Sequence, residues 1–246
     1  MEKICDQDFC RLPVWYPALA EWTFPTLFVR LRDEAVKYLA SGDEEREAFP
    51  EEAVSEARAE LAKAMKKGFG QHFISVDCCS LTDTERFENK GGAIHSAESA
   101  WKYICASEKV RTDARAGKVQ HICIKPYRNI TLAREFRLFV VNGKLAAMSQ
   151  YNLLRHYFRL DGVKDEYLKL AEEFVAATAW KIPLEKVVID IYITSSNKVM
   201  VVDLNPWGEP TDPLLLRTWD RDWSVPAGIC LMDLPRKISG DVNVSF

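Results

Sequence analysis

Val187-Val188-Ile189-Asp190-Ile191-Tyr192-Ile193 and Val199-Met200-Val201-Val202-Asp203-Leu204-Asn205 flank Thr194-Ser195-Ser196-Asn197. Two β-branched, apolar runs around a polar turn predict a β-hairpin of largely buried strands. An acid inside such a strand costs free energy unless something compensates it. A turn centred on Ser195–Ser196 sets Asp190 opposite Val201, with Asp203 one diagonal step away on the same face. Asn205 follows two residues later and shares that face. Two carboxylates and an amide oxygen then converge where like charges repel unless a cation lies between them. Hard oxygen ligands of this kind suit Mg²⁺, which keeps waters and takes further ligands from a nucleotide's phosphates. The competing reading is a wet polar face, with Asn205-Pro206 only a turn.

The composition around this hairpin is that of an ordinary globular protein: 246 residues, 48% hydrophobic, 28% charged, enough to bury a core. A net charge of −3 argues against a nucleic-acid surface dominated by phosphate contacts. No apolar run reaches the length of a membrane span, and Met1-Glu2-Lys3-Ile4-Cys5-Asp6 has no signal-peptide core. Seven cysteines without framework spacing read as reduced thiols in the cytoplasm. The four histidines show no metal-ligand spacing, and no Walker A, G-x-S-x-G or H-E-x-x-H motif occurs.

Upstream, strands are expected at 28–31, 73–76 and 122–125, and helices at 33–39, 51–67, 96–107 and 161–180, with Ser96 as an N-cap. Residues 78–92 read as a polar loop. Glu135–Val141 and Lys144–Gln150 form a hairpin over Asn142-Gly143, a strong turn signal. Hairpins late in a mixed chain favour an α+β architecture. Within that hairpin Glu135 and Arg137 share a face. An arginine so placed suits bidentate recognition of phosphate or carboxylate, unless it is spent on an internal pair with Glu135. The tryptophans, Trp207 and Trp219 among them, read as core packing.

Taken in order, Trp15-Tyr16-Pro17, Tyr38-Leu39, the 96–107 helix with Tyr103-Ile104, Glu135-Phe136-Arg137-Leu138-Phe139-Val140 with Met148-Ser149-Gln150, Asp190-Ile191-Tyr192, Asp203-Leu204-Asn205-Pro206, Thr211-Asp212-Pro213-Leu214-Leu215 and Trp219-Asp220 resemble the cell division cycle protein 123 family. That resemblance implies an ATP-grasp-like fold in which two α+β lobes with antiparallel sheets clasp a nucleotide. The N-terminal lobe is expected over 1–125 and the C-terminal lobe over 126–246, as one structural unit. It implies Asp190, Asp203 and Asn205 as Mg²⁺ ligands, Arg137 as a phosphate contact and Lys125 as a nucleotide contact. It also implies an ATP- and Mg²⁺-binding assembly chaperone acting on a translation-factor-like protein partner. An ATP-dependent carboxylate–amine ligase and a degenerate nucleotide-binding scaffold are the alternatives.

One loop departs from the family. Where the family's phosphate loop carries two lysines, this chain has Ser75 and Thr82. Such a loop must lean on backbone N–H groups, Mg²⁺ or bases elsewhere. Lys90, beside Gly91-Gly92, or Arg86 could stand in; equally, the loop reads as a mobile surface turn with reduced nucleotide affinity.

Overall fold

The computed structural model describes residues 6–68 and 70–234. Two β-sheets organise them. β1 (Leu27–Arg30), β2 (His72–Val76) and β3 (His121–Pro126) form an antiparallel sheet in the order β1-β3-β2. β4 (Glu135–Val141), β5 (Lys144–Gln150), β6 (Lys186–Ile193), β7 (Val199–Asn205) and β8 (Ile229–Cys230) form the second, in the order β7-β6-β4-β5-β8. All its pairings are antiparallel except β5 with β8. The expected α+β architecture is therefore the one found.

Local chemistry accounts for the elements. Asn142 and Gly143 take φ of 50° and 71°, the left-handed pair that lets two residues close the β4–β5 turn. Ser96 caps the helix Ala97–Ala106, its hydroxyl accepting the Ser99 N–H at 3.2 Å. Within the expected polar loop a short helix, Glu85–Lys90, forms instead, because Thr84 caps its start and Gly91, at φ 58°, its end. A further helix, Glu108–Arg115, starts on Ser107, which accepts the Val110 N–H.

Each sheet has its own core. The helices Asp33–Ala40, Glu52–Met65, Ala97–Ala106 and Glu108–Arg115 pack Leu39, Leu61, Ile104 and Val110 against Ile74, Ile122 and Ile124 of the small sheet. Lys164–Thr178 packs Ala171 and Phe174 against Phe136, Leu138, Ile189 and Ile191 of the large sheet. The helix Leu12–Leu19, from the other end of the chain, joins this second core through the fully buried Trp15 and Leu19. Asp77, at the end of β2, ties the two together. It accepts from Arg11 just ahead of that helix, at 2.8 Å, and from the Gln120 and His121 N–H groups at the start of β3.

Candidate functional site

Along β4 the side chains alternate: Phe136, Leu138 and Val140 enter the core, while Glu135, Arg137 and Phe139 face the other way. Arg137 pairs with Ser149 on β5 and with Asp190 on β6. Asp190 in turn pairs with Asp203 on β7, not with Val201. The register expected from a turn at Ser195–Ser196 is thus corrected. The strand ends are Ile193 and Val199, and a bulge inserts Val202 between Val201, opposite Ile191, and Asp203. That extra residue brings the second carboxylate into the same rung, so Ser149, Arg137, Asp190 and Asp203 line up across four strands. Asn205, opposite Val188, stands two positions on.

The rung is tightly bonded. Arg137, 6% exposed, donates through Nε and Nη2 to both carboxylate oxygens of Asp190, at 2.7 and 2.8 Å. Its Nη1 donates to the Asp212 carbonyl at 2.7 Å, and the guanidinium lies 5.2 Å from the centre of the Tyr151 ring. The internal partner of Arg137 is therefore Asp190 and not Glu135. Asn205 Nδ2 donates to Asp190 Oδ2 at 2.9 Å. From the small sheet, Lys125 reaches across β7 and donates to the carbonyl of the bulge residue Val202 at 3.3 Å.

Charge on this face is unevenly matched. Burial lowers the Lys125 ammonium, against the pull of Asp203. Burial, with Asp190 adding to it, pushes the Asp203 carboxyl up to about 7, although Lys125 opposes the shift. Glu135 is likewise pushed up to about 7 by burial and by Asp190. Burial alone would lower the Arg137 guanidinium, but its bonds to Asp190 outweigh this and raise it. Asp190 is neutralised by Arg137. Asp203 is left facing one ammonium that is itself costly to charge, while only burial and Asp190 act on Glu135.

Two oxygens on this face remain available. Asp203 Oδ1 accepts the Leu204 N–H at 3.0 Å. No donor among the described residues reaches Asp203 Oδ2 or Asn205 Oδ1, since Asn205 turns its nitrogen toward Asp190. A carboxylate oxygen and an amide oxygen fit a Mg²⁺ ion that keeps several waters. Asp190 Oδ2 accepts from both Arg137 and Asn205, whereas its Oδ1 accepts from Arg137 alone. Among the described residues no group of three His, Cys, Asp or Glu side chains is placed to hold a metal. The expected trio is thus adjacent, with Asp190 acting as the bracket between Arg137 and Asn205.

Several residues of the phosphate-loop region are bonded to the surrounding fold. Ser75 is buried on β2, its backbone bridged to Ser80. Thr82 Oγ1 accepts from the Lys109 ammonium at 2.6 Å, so a lysine from another helix stands at the second lost position. Arg86 is committed twice to the Ala93 carbonyl. Lys90 ends its helix exposed and makes no hydrogen bond or ion pair among the described residues. Phe139, Trp207, Trp219 and Trp223 cluster beyond Arg137, with ring centres 4.6 to 6.2 Å apart, as packing over the sheet. A cavity of about 300 Å³ lined by Tyr38, Phe49, Arg58 and Trp101 lies elsewhere and shares no residue with the rung. Tyr151 and the Asp212 carbonyl were missed by sequence reasoning. Strand periodicity reaches the first, two residues past Ser149; nothing in the sequence signals the second.

The family model described as D123 matches residues 93–221. A translation initiation factor eIF2 assembly protein from Xenopus tropicalis is 36% identical over 156 residues, which cover 61% of this chain and 45% of that one. Cell division cycle protein 123 from Candida glabrata is 39% identical over 101 residues, covering 40% and 28%. These matches span less than half the length of either relative. The structure of Cdc123 from Schizosaccharomyces pombe superposes with a TM-score of 0.74 at 22% identity, covering 91% of this chain and 92% of that one. The fold is accordingly that of the Cdc123 structure.

Proposed function

The chain belongs to the D123 family, and on that premise we propose that it binds ATP with Mg²⁺ on the polar face of β4, β6 and β7. In this reading it uses that complex in the cytoplasm to act on a translation-factor-like protein partner. The observation that carries the reading is the rung Arg137–Asp190–Asp203, held beside Asn205 and under Lys125, with more carboxylate than the protein neutralises. Such a face favours a bound cation. Asp203 Oδ2 and Asn205 Oδ1 would hold the Mg²⁺, which would neutralise charge between carboxylate and triphosphate. Arg137 holds Asp190 in place, and Asp190 takes the Asn205 amide nitrogen, which leaves the amide oxygen for a ligand. Arg137 would meet a phosphate only with the Nη hydrogens not spent on Asp190 and Asp212. Lys125, and Lys90 from the helix end, supply charge from the 1–125 side, so that 1–125 and 126–246 work as one unit.

The partner reading is supported by the Xenopus tropicalis relative, whose name describes assembly of the initiation factor eIF2. Calorimetric titration with MgATP tests nucleotide binding, and an ADP-release assay with and without initiation factor tests whether the partner triggers hydrolysis. The buried Ser75 and the neutral Thr82 favour a second reading, a scaffold that has lost nucleotide affinity. Absence of binding heat in the same titration would select it.

A further inference from the structure

Directly beyond β5 the chain runs Tyr151-Asn152-Leu153-Leu154-Arg155-His156-Tyr157-Phe158-Arg159. Tyr151, Leu153, Leu154 and Phe158 are all exposed, Leu154 at 86% and Phe158 at 72%. Single exposed apolar residues are ordinary, but four in eight positions form a patch. The exposure is not looseness. The Gln150 amide donates to the carbonyls of Asn152 and Arg155. Asn152 Oδ1 accepts the Leu154 N–H and the Tyr157 hydroxyl. The His156 ring bridges the Met232 carbonyl and Asp161. The loop is therefore held with its apolar side chains outward, and little ordering cost remains to be met on binding.

Its charge is equally particular. Arg155 and Arg159 are exposed and form no ion pair among the described residues, and 151–160 contains no acid, on a chain of net charge −3. Aromatic, aliphatic and arginine side chains in one rigid patch are the composition of an interface centre. The patch is also continuous with the candidate site, because Tyr151 lies over Arg137.

We propose that the 151–159 loop docks a protein partner presenting an apolar groove edged by carboxylates. Leu154 and Phe158 enter the groove, and Arg155 and Arg159 pair with its rim. The inference rests on the partner reading above and gives that partner a place beside the nucleotide face. A lipid surface is disfavoured: two arginines on a net acidic chain attract anionic headgroups weakly, and stable anchoring needs more apolar surface than two protruding side chains.

The test uses purified eIF2 from Xenopus tropicalis as the probe, in equilibrium binding to the full chain. Leu154→Asp with Phe158→Ser should weaken binding about 30-fold or more, as loss of hot-spot anchors does. Arg155→Glu with Arg159→Glu should weaken it about tenfold or more and flatten its salt dependence. Trp180→Ser, at another exposed aromatic, should leave it unchanged. An unaltered thermal response to MgATP shows that each variant is folded with its nucleotide face intact. Equal binding by the loop variants and wild type would overturn the inference while leaving the partner reading standing. No binding by wild type would remove both. Loop-dependent binding to phosphatidylserine vesicles, with none to eIF2, would also overturn it.

Discussion

Arg137 and Asp190 lie directly opposite each other on β4 and β6, and the guanidinium bonds both carboxylate oxygens at 2.7 and 2.8 Å. Both side chains are buried, so each is the other's main compensation. Removing one partner of such a pair strands the other. Arg137→Ala should therefore cost about 3–5 kcal/mol of stability with no nucleotide present. Urea denaturation of the free protein measures it. A loss within about 0.5 kcal/mol of zero, the usual range for a surface substitution, would mean that Asp190 finds another cation. Arg137→Lys should not restore the wild-type value, because an ammonium cannot make the two-pronged contact.

Asp203 holds the oxygen on which the metal reading turns. MgATP should raise the melting temperature of the wild type, and Asp203→Ala should abolish that rise. Differential scanning fluorimetry at fixed MgATP reads it directly. A full shift in the variant would take Asp203 out of the metal site.

Glu135 gives a pH signature. Its folded pKa of about 7 lies above the ordinary 4.5, owing to burial and then Asp190. Between those values the folded chain keeps a proton that the unfolded chain has released, so stability falls as pH rises from about 4.5 to about 7. Glu135→Gln should flatten that part of the profile. Urea midpoints measured at pH 5 and pH 8 make the comparison, and an unchanged slope in the variant would refute it.

Lys90 is exposed at a helix end, where one ion pair is worth at most about 1 kcal/mol. Lys90→Ala should weaken ATP by no more than about fivefold. Calorimetry with ATP and with adenosine separates a phosphate contact from a general loss. Equal weakening of both would end the substitute-cation idea.

The hairpin Glu135–Val141/Lys144–Gln150 was legible to the residue, because Asn142-Gly143 dictates its own backbone and alternation dictates its faces. The helix Glu85–Lys90 was not, since its six residues contain a single large apolar side chain, Phe87, and only the Thr84 and Gly91 caps announce it. Asp190, Asp203 and Asn205 were placed on one face by periodicity, but the partner of each was misread or unread. A single-residue bulge at Val202 is invisible to a pattern that counts in twos.

Local stereochemistry and the order of its motifs let the sequence by itself determine the two-sheet α+β plan, the polar face of the large sheet and the family. Only the tertiary structure decided that Arg137 takes Asp190 over Glu135, that Asn205 turns its nitrogen to Asp190, and that Lys109 comes to Thr82. Those choices join residues 15 to 53 positions apart. They arise from which strands and helices meet, and local propensity carries no record of that.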